Sequence, residues 1–528
     1  SMNTPALCPA PPCYRAEIKV DILTPTVFLY STVNNMAISR ELPSLQSITA
    51  FESEFPSEDV IIVGDPVHSK FLLAGAVTAN RSFTFLTAVR EARRLVKIRV
   101  LQPSIKPEEP PEEILILTGC DWRELLVQYA QAVARKAGVT PMKPAENLTG
   151  YCTWYYYYTA VTAQDFQENL NALRLHRESY PARVVQIDDG YQTFMGDWFD
   201  RNKRWPEPLE TVARRIRKAG MKAGIWLMPF QASTASRLYR EHPDWFVTDE
   251  NGETAVSEGW SPEPDHLWAC LDATVPAVRG HLATIFRTFR AQGFTYFKMD
   301  GLGFALKNGR RRDPAATAVS AFRLGLKTIR EAVPDAFLLG CCSPYLPCAG
   351  LVDMCRVGPD TQPEWGTMIP RAIHCSLERW WMFDRWFRAD PDVMFTRTDR
   401  IRLTLGECRL TVLVGILTGV TLTSDNLGTL PPDRLALLRR AAQLRMRNVR
   451  PAKWQLNCYL NTFSGTVDGK AALAVLNETE QEMTVNFSDF DLPEEMEEIL
   501  QPAGMQKSQI TVARHDAVLL VANRRETK

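Results

Sequence analysis

At 528 residues and 59.7 kDa the chain is longer than one hydrophobic core sustains, and roughly two to four domains are expected. A hydrophobic content of 45% with 23% charged residues is that of a folded globular protein. Sixty-one Lys+Arg balance sixty-one Asp+Glu, which excludes a global basic field for nucleic acid or anionic lipid.

The first ~100 residues read as short β-rich strands bounded by Pro, Asn, Ser or Gly: Val20 to Tyr30, Val60 to Val63, Phe71 to Val77, Phe83 to Ala88 and Leu95 to Leu101. The chain opens on Ser1-Met2, which reads as a tag-cleavage scar, with no charged segment leading into an apolar one as a secretion signal would have. A Pro/Glu stretch, Pro103 to Glu113, is too polar to pack and reads as a linker or exposed loop. Helical periodicity follows from Asp121, a fitting N-cap, to Gly138, a C′ stop, with Leu125, Leu126, Tyr129 and Val133 forming the stripe.

From about Gly150 short apolar runs alternate with amphipathic segments. The strands are expected at Tyr151 to Tyr157, Arg183 to Asp189, Lys222 to Leu227, Thr295 to Asp300, Phe337 to Cys342, Met354 to Asp360, Trp386 to Val393 and Val420 to Asp425. Helices are expected between them at Ala163 to Ser179, Leu209 to Ala219, Val275 to Gln292, Ala315 to Ala332, Pro370 to Asp384, Asp399 to Leu417 and Pro432 to Arg447. Eight such units fit a (β/α)8 barrel. A doubly wound sheet would normally carry a Gly-rich phosphate loop after an early strand, and none is present. The longest apolar stretch, Leu410 to Leu422, falls short of the ~18 residues of a membrane span and fits a buried helix followed by a strand. After about Pro451 the alternation returns at Ala471 to Leu476, Met483 to Phe487, Ile510 to Val512 and Ala517 to Val521. The architecture is therefore expected to be α/β: a β-sandwich domain over 1–118, a (β/α)8 barrel with a leading helix over 119–447, and a small antiparallel β domain over 448–528.

The reactive face of such a barrel lies at the C-terminal ends of its strands. Trp154 and Tyr155 lie on strand one, Asp188-Asp189 end strand two, and Trp226 lies on strand three. Strand four carries Lys298 and Asp300, and strand five ends near Cys342. Strand six carries Arg356 and Asp360 with Trp365 beyond, strand seven ends in Asp390-Pro391-Asp392, and strand eight ends in Ser424-Asp425. One Asp after a strand is most often a cap or a turn residue. Acidic endings on five of eight strands, joined by Lys, Arg and Trp, are hard to explain that way. Flat Trp faces suit a pyranose ring, and the paired aspartates can accept from neighbouring hydroxyls. Asp300 and Asp360, one strand apart, can face each other across a pocket and cleave a sugar–sugar bond. Arg356 beside Asp360 favours ionisation, so an acid role there needs burial or the Asp300 charge to oppose it.

Metal and Ser-His-Asp chemistry are disfavoured, because neither His-Glu-x-x-His, nor paired Cys-x-x-Cys, nor Gly-x-Ser-x-Gly occurs. The 12 cysteines are scattered among apolar residues, which suits free thiols in a reducing, cytoplasmic setting.

These stretches resemble glycoside hydrolase family 36 of clan D, the bacterial α-galactosidases, in their compact form. The match runs through Tyr151-Cys-Thr-Trp-Tyr155, Gln186-Ile-Asp-Asp-Gly-Tyr191, Gly224-Ile-Trp226, Glu241-His-Pro-Asp-Trp245, Tyr296-Phe-Lys-Met-Asp300, Leu339-Gly-Cys-Cys-Ser-Pro344, Arg356-Val-Gly-Pro-Asp-Thr361 and Asp390-Pro-Asp392, in the family's order. The resemblance implies a retaining α-glycosidase without metal or organic cofactor, acting on a carbohydrate substrate. Asp300 would be the nucleophile and Asp360 the acid/base. Asp188 and Asp189 would bind the 4- and 6-hydroxyls, with Trp226, Lys298 and Arg356 as further contacts. Strand seven departs from the family's usual Trp-Leu-Asn-Asp-Pro-Asp, and Cys341-Cys342 stands where Cys-Gly is common. The aromatic that the N-terminal domain can lend is not evident, since the first Trp is Trp122. An α-N-acetylgalactosaminidase, a transglycosylase on the same scaffold, or a silent carbohydrate-binding barrel are the alternatives.

Overall fold

A computed structural model of the chain describes residues 13–21, 27–32, 45–48, 54–93, 95–139, 147–366, 368–501 and 504–523. Its centre is a parallel sheet of Leu148–Cys152, Val184–Ile187, Lys222–Leu227, Phe294–Met299, Phe337–Gly340, Met354–Arg356, Arg388–Asp390 with Val393–Met394, and Val420–Thr423, here numbered as barrel strands one to eight. Strands one to six run side by side in chain order, and strand eight returns to lie beside strand one.

Strand seven closes the ring by changing partners. Arg388–Asp390 pairs with strand six, whereas Val393–Met394 pairs with strand eight. Pro391 and Asp392 make the switch, Asp392 in the left-handed region at φ 80. The strands are almost wholly buried, because a parallel sheet wrapped in helices has no wet face. The Leu410 to Leu422 run resolves as helix Leu405–Thr418, Gly419 in the left-handed region at φ 71, and strand eight. A capping box of Thr404 and Glu407 starts that helix.

Strand three has the expected bounds, Lys222–Leu227, whereas the other expected strands overrun their observed ends. The largest error is Tyr151 to Tyr157: the strand stops at Cys152, and Trp154–Tyr157 form a short helix. Aromatic residues favour strands, but here the amide of Tyr155 bonds the Ser424 hydroxyl at 3.0 Å and turns the chain across the mouth. Pro370 to Asp384 resolves as helix Met368–Leu377 followed by the 3-10 turn Trp380–Met382.

The N-terminal strands form two antiparallel sheets. One orders Cys13–Asp21, Leu95–Pro103, Phe85–Ala92 and Glu54–Glu58; the other orders Leu45–Ile48, Val27–Ser31, Val60–Asp65, Lys70–Ala76 and Ile114–Gly119. Val20, Leu29, Ile61, Val63, Ile98 and Val100 fill the space between them as a sandwich core. The expected single strand Val20 to Tyr30 is two, and its middle, residues 22–26, lies outside the described residues, as does Ser1-Met2. The Pro/Glu stretch is not a free linker. Glu112 is buried and accepts from the amides of Arg81 (2.6 Å) and Ser82 (3.1 Å) and from the Thr78 hydroxyl (2.6 Å). At the other end, Arg447–Pro451, Thr462–Val467, Lys470–Asn477, Asp516–Ala522, Glu495–Glu498 and Gly504–Lys507 form one antiparallel sheet.

Helix Trp122–Lys136, capped by Asp121, joins sandwich to barrel. Its Tyr129 donates to the Ala76 carbonyl of the sandwich at 2.7 Å, and its Ala130 carbonyl accepts from Trp386 of the barrel at 3.1 Å. Nearby, the buried Tyr30 hydroxyl accepts from the Trp381 indole at 2.7 Å and donates to the Glu378 carbonyl at 3.0 Å. Tyr30→Phe removes both of these interior hydrogen bonds, an expected cost of about 1–3 kcal/mol. The midpoint of urea unfolding should fall while far-ultraviolet circular dichroism of the folded state is unchanged; an unshifted midpoint contradicts this.

Candidate active site

Barrel strands one to six and their C-terminal loops open onto a cavity of about 320 Å³, lined by Trp154, Tyr155, Thr159, Asp188, Asp189, Trp226, Trp260, Lys298, Asp300, Cys342 and Asp360. This is the small end of the range for sites that take small molecules.

Asp300 follows strand four directly and is half-buried at the cavity wall. Burial alone would push its carboxyl up. The Lys298 charge outweighs that, together with hydrogen bonds from Trp226, Cys341 and Gly301, and holds it below the usual carboxylate range. Trp226 Nε1 donates to Oδ2 at 3.0 Å, and the Gly301 amide donates to Oδ1 at 2.7 Å. Gly301 sits at φ 61, and a Cβ there would come within 2.3 Å of Met228. Glycine therefore lets the chain turn sharply enough to aim its amide back at Asp300.

Lys298 also donates to Asp188 Oδ2 at 2.9 Å, both side chains being buried. Burial acts to lower the Lys298 ammonium, but Asp188 and its other anionic neighbours hold it well above the ordinary lysine value. Asp188 accepts further from Gln186 Nε2 at 2.5 Å and the Cys152 thiol at 3.2 Å. Asp189 accepts from Gln192 at 2.7 Å and from the Trp260 indole at 3.1 Å.

Burial pushes the Asp189 carboxyl up to about 6, against the pull of those two hydrogen bonds. The folded protein thus binds this proton more tightly than the unfolded chain, whose Asp titrates near about 3.9. Stability from this group falls as pH rises from about 4 through about 6, and the cost is fully present above that, on the order of 2–3 kcal/mol. Asp189→Asn should therefore raise the thermal midpoint at about pH 8 and lose most of that advantage near about pH 4. Midpoints measured across this range decide it; an equal shift at both ends contradicts the linkage.

Asp360 lies four residues beyond the last residue of strand six, and its side chain is 51% exposed. Arg356 Nη2, buried, donates to Asp360 Oδ1 at 2.7 Å and to Asp392 Oδ2 at 2.7 Å. Two carboxylates therefore share one guanidinium. Asp392 also accepts from the Thr361 amide (2.8 Å), the Thr361 hydroxyl (2.9 Å) and the Tyr155 hydroxyl. The partner switch in strand seven thus fixes Arg356 and, through it, Asp360.

Of the residues singled out from sequence, Trp154, Tyr155, Asp188, Asp189, Trp226, Lys298, Cys342, Asp300 and Asp360 all line this one cavity. Arg356 stands behind it. Trp365 is not among the lining residues; its ring stacks on His515 of the C-terminal sheet region at 4.6 Å and 25°. Asp390 is buried behind the wall, where it accepts from the Asp392 amide at 2.9 Å. Asp425, at the end of strand eight, is a structural anchor that binds Thr396 and the buried Arg397.

Sequence reading missed Trp260 and Thr159, and saw Asp392 only as part of the acidic ending of strand seven. Trp260 enters from a three-stranded antiparallel insertion of Gln231–Ser233, Leu267–Cys270 and Val256–Glu258, seated edge-on against Trp268 at 4.5 Å. It supplies an aromatic wall from the barrel's own insertion.

An ionised, half-buried carboxylate and a half-exposed one line the same small cavity, and two carboxylates are what two-step displacement at an acetal carbon uses. The lining of Trp, Asp and Lys side chains suits a ring bearing several hydroxyls.

Comparison with known proteins agrees in fold. Residues 179–329 match the Melibiase family model, a segment containing Asp188, Asp189, Trp226, Lys298 and Asp300. The α-galactosidase of Escherichia coli is 33% identical over 204 residues, 37% of this chain and 27% of that protein. Alpha-galactosidase 1 of Pediococcus pentosaceus is 23% identical over 201 residues, 36% of this chain and 26% of that protein. An A type blood alpha-D-galactosamine galactosaminidase of Flavonifractor plautii is 29% identical over 123 residues, 22% of this chain and 11% of that protein. The matched stretches thus span about a quarter or less of these curated relatives. Among solved structures, the α-galactosidase TtGalA of Thermus thermophilus in complex with stachyose superposes with a TM-score of 0.67 at 23% identity, covering 82% of this chain and 94% of that one. The GH36 α-galactosidase AgaA of Geobacillus stearothermophilus gives 0.67 at 10% identity, covering 96% and 76%. In barrel sequence and in whole-chain fold, the protein is similar to the family 36 α-galactosidases.

Proposed function

We propose that this relative of the family 36 α-galactosidases is a retaining glycoside hydrolase that releases terminal non-reducing α-D-galactose through a covalent glycosyl-aspartate. The observation that carries this reading is Asp300, half-buried and held ionised by Lys298, on the same cavity as Asp360. In the first step an Asp300 oxygen attacks the anomeric carbon while Asp360 gives its proton to the departing oxygen. In the second, Asp360 takes a proton from water, which attacks the same carbon and frees Asp300. Its half-exposed position lets Asp360 meet both the leaving group and the incoming water. Asp188 and Asp189, braced by Lys298, Gln192 and Trp260, would accept from sugar hydroxyls.

A second reading keeps the reaction and changes the group at C2 of the sugar. The similarity to the Flavonifractor plautii galactosaminidase motivates it. Hydrolysis of a panel of aryl α-glycosides, with the first product anomer read by proton NMR, tests both. Preference for the α-galactoside with α-galactose formed first supports the first reading. Preference for an α-linked amino sugar moves the assignment to the second, and β-product overturns retention. We also infer a reducing, cytoplasmic setting, in which the eleven described cysteines would stay free thiols.

A further inference from the structure

Cys341 and Cys342 follow strand five beside Asp300, and the mechanism above uses neither thiol as a reactant. Consecutive side chains of an extended strand point to opposite faces and cannot grip one ion. Here the strand ends at Gly340, and Cys342 turns into the left-handed region at φ 48. A glycine would take that conformation freely; a cysteine there is strained. The turn breaks the alternation and brings the two thiols together beside Asp300. One sulfur from each cysteine and a carboxylate oxygen of Asp300 all lie within 4.8 Å of one another.

We propose that Cys341, Cys342 and Asp300 form a binding site for one thiophilic d10 divalent cation, of the Zn2+ and Cd2+ class, that caps Asp300. Zinc–sulfur bonds of about 2.3 Å and zinc–oxygen bonds of about 2.0–2.2 Å place tetrahedral ligand atoms about 3.5–3.8 Å apart, so small side-chain rotations close the set. Two sulfur ligands select a soft cation over Mg2+ or Ca2+. Binding releases both thiol protons to solvent. The resulting centre carries two thiolates, one carboxylate and the dication, one net negative charge. Lys298, whose charge acts on Asp300, and Arg356, whose Nη1 is 3.6 Å from Cys341 Sγ, offset it. Asp300 and Cys342 both line the cavity, which gives the ion its path in and leaves its fourth position to water. Because Asp300 is a ligand, occupancy and substrate attack exclude one another; that consequence rests on the function proposed above, whereas the binding does not.

Titration of the reduced, chelator-treated full chain with Cd2+ should give an ultraviolet Cd–thiolate charge-transfer band that saturates at one ion per chain. Cys341→Ser and Cys342→Ser should each abolish the band, and the exposed Cys458→Ser should keep it. In the unaltered protein, Zn2+ should slow iodoacetamide labelling of Cys342 at least tenfold while the exposed Cys120 and Cys458 label as before, which needs no variant to fold. A band that survives Cys342→Ser, or Cys342 labelling unaffected by Zn2+, overturns the site whatever the enzyme hydrolyses.

Discussion

Asp300→Gly lowers kcat on an aryl α-galactoside by about 10⁴–10⁶, the scale of removing a covalent nucleophile. The size of the effect follows from how much of the site serves this one group. Lys298 supplies charge, while Trp226 and the Gly301 amide each fix one oxygen. All three remain after the substitution, and Lys298 keeps its partner Asp188 at 2.9 Å, so the variant should fold. What disappears is the attacking oxygen. Azide small enough to enter the vacated space should restore part of the turnover and yield β-galactosyl azide, since it arrives from the face Asp300 had occupied. Unaltered hydrolysis by the variant sinks the nucleophile assignment.

For Asp360→Ala the loss depends on the leaving group. With an alkyl or sugar leaving group, which needs a proton, kcat/KM should fall about 10²–10⁴. An activated aryl galactoside should be spared in the first step and show a burst of released phenol, because the missing base then slows hydrolysis of the intermediate. Exposure of the Asp360 side chain and the second partner of Arg356, Asp392, predict little loss of stability. Equal losses on both substrates would contradict the acid/base role.

The barrel was legible because its strands are apolar on both faces and are separated by amphipathic segments, a pattern few other folds share. Strand ends were not, since apolarity continues past the last ladder bond. Trp154 to Tyr157 read as strand and fold as helix because Ser424, 269 positions from Tyr155, captures the backbone there. The sandwich was half visible. Val60 to Val63 is a solid apolar run, whereas in Cys13–Asp21 and Glu54–Glu58 charged or polar residues on the outward face mask the pattern.

Within the site, residues at strand ends were found because a barrel gathers them by topology. Trp260 was invisible for the opposite reason: it reaches Asp189 from 71 positions away, on an insertion no periodicity marks. Trp365 misled in the same manner. Its nearness to Asp360 in sequence suggested the cavity, yet its ring is taken up by His515, 150 positions on. Asp392 shows what a motif can hide. It lies near Asp390 in sequence, but a positive φ turns it toward Arg356, Tyr155 and Thr361, where it shares the Arg356 guanidinium with Asp360.

The central claim is that Asp300 becomes bonded to the sugar. Incubation with an activated fluorosugar of the α-galactosyl series, whose intermediate hydrolyses slowly, followed by proteolysis and mass spectrometry, tests it most directly. The account predicts one glycosyl adduct per chain, on Asp300. An adduct on another carboxylate such as Asp188, or none alongside β-galactose as first product, would contradict it.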